Sequence, residues 1–480
     1  MTELFKNSYI FSKLASFGKK IAEIWQSSQI GWYVTRNLND IKSKNSLVYR
    51  IINDIINRTF SIKIGGKLGD KLQTSVFLNL FSHYEYGVFA MLFLAPIIPT
   101  MLCVAIVLIT FMSFFVHSLI KNDMNIKLDS FGIITVVLIG LFFVYSLTSY
   151  ARIASLKIFA LYFVFIAFML IVIACGSDKR NFSRMIFMFV SSGLLVSLFG
   201  IYQQFFGNNL GHAWLDEEMF GDISVRVYST LGNPNVLGEY LLLLIPVCGA
   251  MIYGAKKWYA KLFYFAVMCC AGLCMIFTQS RGCWLGLILT AVIFALLIDK
   301  RLVLIGIVAA MFLPSLLPDS IITRFTSIGN MNDSSTSYRV YIWLGTLRLL
   351  KDYWWNGIGI GQEAFNKVYP YYSYNAISAP HAHNLYLQLI TETGIAGLLT
   401  FVVSMLVALK KMLVGYIVGK KNMYGIMCAA IIAGILGFML QGMFDYVWYN
   451  YRVFAIFWMI IGVGIASRRC ACEEDYTRNQ

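Results

Sequence analysis

Hydrophobic positions along this chain fall into long unbroken runs, not into the alternation of a half-buried strand or the narrow stripe of a surface helix. Residues 86–120 contain no Lys, Arg, Asp or Glu over 35 positions. That stretch exceeds the ~20 residues one helix needs to cross a bilayer. Pro96 and Pro99 interrupt it, so it predicts two short helices joined by a tight turn. Further apolar runs lie near 131–149, 156–176, 185–206, 235–254, 261–279, 283–298, 302–317, 395–411, 423–443 and 448–467. The pattern predicts an all-α, polytopic integral membrane protein with about 12 transmembrane helices.

The runs divide the chain into five blocks. Residues 1–85 are the least hydrophobic, with twelve Lys and Arg against six Asp and Glu. Their short amphipathic stretches, Ile21–Trp25 and Leu47–Ile56, suggest interfacial helices on a basic extension lying against the anionic cytoplasmic leaflet. Residues 86–317 hold the first nine helices and residues 395–467 the last three; residues 468–480 form a tail. Between them, residues 318–394 are too long for a passive connection. They contain a candidate helix, Tyr338–Tyr353, the pair Trp354 and Trp355, three spaced glycines (Gly357, Gly359, Gly361), an aromatic turn, Tyr369–Tyr374, and a second helix from about Pro380. This composition predicts a helical loop domain at the membrane interface.

Composition agrees. Of 480 residues, 59% are hydrophobic and 13% charged, half the share of about 25% found in soluble domains, which excludes a soluble enzyme. The net charge of +15 would suggest nucleic acid in another setting, but here its distribution points to the positive-inside bias, and no nucleic-acid partner is expected. With the N-terminus inside, the cytoplasmic connections carry Lys121 and Lys127; Lys179, Arg180 and Arg184; Lys256, Lys257 and Lys261; Lys300 and Arg301; Lys410, Lys411, Lys420 and Lys421; and Arg468 and Arg469. The connection 207–234 is instead acidic, with Asp216, Glu217, Glu218 and Asp222, and residues 318–394 also fall outside. Ten cysteines lie mostly in apolar runs, and Cys470 and Cys472 lack partners at zinc spacing. Residues 1–30 are polar and basic, unlike a cleavable leader.

Three polar clusters gather on the outward side. Arg281 sits in the very short turn Thr278-Gln279-Ser280-Arg281-Gly282; it is either a snorkelling anchor of a helix end or a fixed cation facing an outer cavity. Arg226 is a lone base in an acidic loop, followed by Gly232-Asn233-Pro234-Asn235, a turn and helix start with Asn235 as N-cap. The third cluster runs from Pro380 through His381, His383, Asn384 and Gln388 to Glu392-Thr393-Gly394. With Pro380 opening a helix, both histidines fall in its first turn. His381, Asn384, Gln388 and Glu392 then share one stripe and His383 leads another. A helix N-terminus disfavours imidazolium, which leaves a neutral ring able to accept a proton. Two histidines at i, i+2 of a helix point about 200° apart, a poor metal pair, so no metal is expected.

These clusters, in this order and on this scaffold, resemble the O-antigen ligase / Wzy polymerase superfamily of bacterial membrane glycosyltransferases. The carrying residues are Arg226 with Gly232-Asn233-Pro234-Asn235, Thr278-Gln279-Ser280-Arg281-Gly282, Tyr338-Arg339-Val340-Tyr341-Ile342-Trp343, Gly357-Ile358-Gly359-Ile360-Gly361 with Phe365, and His381-Ala382-His383-Asn384-Leu385-Tyr386-Leu387-Gln388 with Glu392-Thr393-Gly394. The resemblance covers roughly residues 87–467 and leaves the basic N-terminal extension aside. It implies a GT-C-like fold in the cytoplasmic membrane with its active site on the outer face. The implied reaction is a metal-independent, inverting transfer or polymerisation of a glycan from undecaprenyl diphosphate to an acceptor hydroxyl, with no cofactor. The partners would be that lipid-linked glycan, a glycan or lipid acceptor, and membrane lipids. Carried over, His383 becomes the candidate general base, with Arg281 and Arg339 beside it as catalytic residues. Arg226, His381, Asn384 and Asn235 become substrate-binding candidates.

The chemistry fits those residue types. A departing diphosphate needs forked, permanently charged donors where no divalent cation helps, and losing one such donor costs ~3 kcal/mol, or ~10²-fold in rate. A neutral histidine taking the acceptor proton contributes about 10²–10⁴-fold. The competing class is a solute transporter, since relatives in this superfamily have been described as inorganic-carbon transport proteins. A transporter predicts ionisable residues near the bilayer midplane, whereas the middles of these runs are nearly free of charge.

Overall fold

The computed structural model describes residues 74–121, 130–207, 226–312, 319–330, 333–419 and 422–478, with Lys20, Arg50, Ile51 and Ser315 in addition. The chain divides into two units, Met1–Arg50 and Ile51–Gln480, and the helices below belong to the second. The expected interfacial helices Ile21–Trp25 and Leu47–Ile56 (Arg50 and Ile51 apart), and the acidic residues of the 207–234 connection, lie outside the described residues.

The described residues are helical, with no strand among them. In chain order the helices are α1 (Val76–Phe81), α2 (Glu85–Leu94), α3 (Thr100–Lys121), α4 (Ser130–Leu147), α5 (Arg152–Gly176), α6 (Lys179–Phe206), α7 (Pro234–Gly254), α8 (Trp258–Thr278), α9 (Arg281–Ile298), α10 (Arg301–Phe312), α11 (Asp319–Thr326), α12 (Ser334–Tyr353), α13 (Gln362–Val368), α14 (Leu385–Val418), α15 (Met423–Gln441) and α16 (Tyr451–Arg478). Each apolar run of the sequence becomes a helix, but the count of spans changes. Among the described residues nine helices are long and apolar enough to cross a membrane: α3, α5, α6, α7, α8, α9, α14, α15 and α16. The apolar α2, α4 and α10 are shorter. In α2 the cause is visible, because the turn around Pro96 and Pro99 stops the helix at Leu94. Ser192 on α6 donates to the freed carbonyl of Phe93 at 2.5 Å.

α7, α15 and α16 form the buried centre, and the other spanning helices wrap them. α9 and α15 approach closely through Gly286 and Gly437. A Cβ on Gly286 would lie 2.7 Å from the Gly437 carbonyl, the small-residue contact expected between helices in lipid. Helix polarity then collects the site. The starts of α7, α9, α14 and α16 and the ends of α8 and α15 meet at one end of the bundle.

At that end α14 is broken. Gly394 adopts φ 59°, ψ −174° inside it, a left-handed conformation that glycine takes without strain. The strand-like segment after α12 fills the break. Ile358 N–H donates to Thr391 O at 2.9 Å, Gly359 N–H to Glu392 O at 3.0 Å and Ile395 N–H to Trp354 O at 2.8 Å. A Cβ on Gly394 would stand 2.0 Å from Trp355 O, so glycine is also required by space. The glycines of residues 357–361 therefore lock the large loop onto the kinked helix.

Candidate functional site

The first half of the site is a cationic cleft at the shared end of the bundle, lined by Arg226, Asn235, Arg281, Arg324, Arg339 and Gln441, among others. Arg281 opens α9 two residues after Gln279, which holds a left-handed backbone (φ 52°) and turns the chain back on itself. Its guanidinium does not snorkel. It forks onto Asp333, Nη1 to Oδ2 at 2.7 Å and Nη2 to Oδ1 at 2.9 Å, and donates to Ser327 Oγ at 2.9 Å. Asp333 is buried because it also caps α12, accepting from Thr336 N at 3.0 Å. Burial alone would raise its carboxyl; the Arg281 bonds and charge outweigh that and hold it below the usual carboxylate range. Arg324 approaches the same carboxylate at 3.7 Å, and Arg339 donates to Ser335 Oγ at 3.2 Å.

Arg226 is a buried member of the cleft lining. Its Nε donates to Thr278 O at 3.1 Å and its Nη2 to Asn235 Oδ1 at 3.2 Å. Burial, then the charges of Arg324, Arg339 and Arg281, push its pKa down to about 9, still protonated at neutral pH. Four guanidiniums line the cleft, and only those of Arg281 and Arg324 approach Asp333, so positive charge predominates there in a way that an anion would relieve.

The second half is the histidine segment. Helix α14 starts at Leu385, later than Pro380, so neither histidine lies in a helical first turn. The reason is Asn384, whose Oδ1 accepts from Tyr386 N at 2.9 Å and Leu387 N at 3.0 Å and makes it the N-cap. His381 therefore shares no helix face with Gln388 and Glu392. Freed from helical geometry, the rings of His381 and His383 lie side by side, centroids 4.2 Å apart. The geometric ground for expecting no metal is thereby overturned: donor atoms of His381, His383 and Asp445 all lie within 4.8 Å of one another.

His383 Nδ1 bonds Asp445 Oδ1 at 3.0 Å. Asp445, in the turn between α15 and α16, also accepts from Tyr446 N at 2.9 Å and, through Oδ2, from Asn235 Nδ2 at 2.8 Å. Burial works to raise this carboxyl, but the bond and charge of His383, with Arg339 beyond, hold it well below the usual range. Bonding to an ionised Asp445 orients His383 with Nδ1 as the donor, so that Nε2 is the ring nitrogen left to exchange a proton. His381 is buried, and burial, helped by His383, lowers its pKa to about 3, so it is uncharged at neutral pH.

The structure thus joins six of the seven residues singled out by sequence. Arg226, Arg281, Arg339 and Asn235 line one cleft, and Asn235–Asp445 connects that cleft to His383 and His381. Asn384 is the exception: as N-cap it holds the helix start, and its Nδ2 donates to Met443 O at 2.8 Å. Asn235 is not itself an N-cap. Asn233 takes that place, accepting from Asn235 N at 2.8 Å, and this frees the Asn235 side chain to bridge Arg226 and Asp445. Three residues escaped sequence reasoning: Arg324, Asp333 and Asp445. Asp445 carried a signal, an acid between two apolar runs, beside none of the three motifs.

Residues 265–402 match the Wzy_C family model, described as O-antigen ligase. The matched stretch runs from α8 into α14 and contains Arg281, Arg324, Arg339 and both histidines; Arg226, Asn235 and Asp445 lie outside it. No curated protein matches the chain at a significant level. The chain therefore carries a stretch similar to the O-antigen ligase domain, set in a bundle of apolar helices that marks a multi-pass membrane protein.

Proposed function

We propose that the protein is a metal-independent, inverting glycosyltransferase that moves or polymerises a glycan from undecaprenyl diphosphate onto an acceptor hydroxyl at the outer leaflet. The family supports a membrane enzyme of polysaccharide biosynthesis that acts on lipid-linked glycans; the finer reading draws on the cleft. The observation that carries it is the hydrogen-bond chain His383–Asp445–Asn235–Arg226, which couples a proton-accepting imidazole to an arginine-lined cleft.

The steps follow from the donors present. The diphosphate lies against Arg226, Arg324 and Arg339, with Arg281 held in place by its fork on Asp333. The acceptor hydroxyl gives its proton to His383 Nε2 as its oxygen bonds to the anomeric carbon. The bond from that carbon to the diphosphate oxygen breaks on the opposite face, which inverts the centre. Undecaprenyl diphosphate leaves carrying the electron pair, its charge met by the guanidiniums. Asp445 stabilises the imidazolium that forms. His381, neutral and flanked by Tyr446 and Tyr449 rings at 5.4 and 4.9 Å, offers a wall for a sugar.

Sidedness rests on the positive-inside rule. The basic connections Lys179–Arg180, Lys256–Lys257 and Lys300–Arg301 lie where α5 meets α6, α7 meets α8 and α9 meets α10, the end of the bundle away from the cleft. If that end is cytoplasmic, the cleft opens outside.

The test is transfer by the purified protein in detergent, with undecaprenyl-diphosphate glycan and acceptor glycans, with and without EDTA. The expected result is EDTA-insensitive product with inverted anomeric configuration. Retained configuration, or activity lost in EDTA and restored by Mg²⁺, would contradict the mechanism.

A further inference from the structure

His383 sits on a backbone that L side chains seldom adopt, φ 45°. Such a residue keeps its place only where its surroundings over-determine it. Two contacts are local: Trp343 Nε1 donates to His383 O at 3.3 Å, and His383 N–H donates to His381 Nδ1 at 3.3 Å. The third support comes from further away. Ala382 N–H, between the two histidines, donates to Gln388 Oε1 at 2.7 Å. Gln388 Nε2 donates to Glu392 Oε1 at 2.8 Å, and the same oxygen accepts from Gly361 N at 2.9 Å. Ser155 on α5 fixes the adjoining carbonyl, donating to Ile360 O at 2.6 Å. Gln388 and Glu392 are both fully buried, where each unmade bond would be costly.

We propose that Gln388 and Glu392 are positioning residues: their side chains form a buried relay from the glycine loop to the Ala382 amide and so hold the His383 ring in register with Asp445. The proposal rests on the reading of His383 as the base. The relay touches no substrate. Its polarity is fixed, because Gln388 must offer its oxygen to Ala382 and its amide hydrogens to Glu392, and Glu392 needs only one acceptor oxygen.

That asymmetry defines the experiment, on the full-length protein in detergent. Glu392→Gln can keep its acceptor oxygen against both donors and is expected to retain kcat within about threefold, whereas Glu392→Leu and Gln388→Leu lose the relay. For these, kcat is expected to fall about 10–100-fold with the donor KM within about threefold, the signature of a misplaced base and not of lost binding. Gln388→Glu sets two carboxylates against each other, tolerable only while they share a proton, so its activity alone should fall steeply as pH rises. Independently of activity, amide hydrogen exchange at Ala382 should accelerate in Gln388→Leu while exchange in α15 stays as in the wild type. Wild-type kcat in Gln388→Leu, equal losses in Glu392→Gln and Glu392→Leu, a loss confined to KM, or an unchanged Ala382 exchange rate would each overturn the relay. If the exchange responds while the wild-type protein transfers no glycan, the relay stands as a hold on the segment and the base assignment fails.

Discussion

Replacing Asp445 by Asn changes one atom and removes one charge at the join between the two halves of the site. The carboxylate accepts three bonds, from His383 Nδ1, Tyr446 N and Asn235 Nδ2. If the new amide nitrogen takes the Oδ2 position, it faces the Asn235 amide nitrogen, donor to donor. Turning the Asn235 amide over resolves that clash but sets its NH₂ against Arg226 Nη2, now bonded to Asn235 Oδ1 at 3.2 Å. If the new nitrogen takes the Oδ1 position, it faces His383 and Tyr446 N. In every arrangement one donor loses its acceptor, at about 1–3 kcal/mol. The missing charge matters more. Opposite unit charges about 4 Å apart attract by ~4 kcal/mol at an effective dielectric of ~20. Since the imidazolium is only partly formed in the transition state, about half to all of that is lost, a kcat reduced ~30- to 1,000-fold. The donor KM should rise a few-fold through the disturbed Arg226. Steady-state transfer assays on the variant, with thermal unfolding as the check on folding, decide the matter. A kcat within about threefold of wild type in a normally folded Asp445→Asn protein would refute the coupling.

Other consequences follow from single features of the site. Arg324→Ala should cost ~10²-fold in transfer, as removal of an oxyanion-type donor does elsewhere; an unchanged rate would take Arg324 out of the diphosphate site. Zinc should inhibit, because His381, His383 and Asp445 present donor atoms within 4.8 Å of one another that small ring rotations bring to bonding distance, and the metal would occupy the lone pair the base needs. EDTA should reverse that inhibition, and failure of zinc to inhibit or to bind stoichiometrically would contradict it. Acidification should destabilise the protein through His381: burial keeps it neutral down to about pH 3, while the unfolded chain takes up a proton near pH ~6.5. Stability is therefore constant above that value and falls as pH drops from ~6.5 towards ~3. Asp445 acts in a separate window, since a depressed carboxyl adds stability that is lost only below ~4. Melting curves at pH about 5 and 7.5 should show a drop in the wild type that is smaller in His381→Asn; equal drops would contradict the assignment.

The bundle was legible because lipid leaves an apolar run few options besides a helix. Pro96 and Pro99 even marked the turn between α2 and α3. What periodicity could not show was where a helix cedes to its cap. At residues 380–385 both Pro380 and Asn384 are helix-start signals, and the Asn384 side chain prevails by satisfying two amides at once. That shift of one turn reverses the geometry of the histidines, from opposed on a helix to adjacent in a loop. The same competition misplaced the cap at Asn233 and Asn235. Arg226, Arg281, Arg339 and His383 were recognisable through ordered motifs. Asp445 and Asp333 were not, because their roles depend on contacts 62 and 52 residues away in sequence, and no local pattern announces such a partner.

The central claim is that the His383 imidazole and a cluster of guanidiniums at one end of the bundle act together on a lipid diphosphate. It is tested most directly by following release of undecaprenyl diphosphate from the lipid-linked glycan by purified wild-type and His383→Ala proteins, with acceptor present and EDTA throughout. The account predicts release coupled to glycan product in the wild type, and a loss of at least ~10²-fold in the variant with donor binding kept. Release at the wild-type rate by His383→Ala, or none by the wild type, would contradict it.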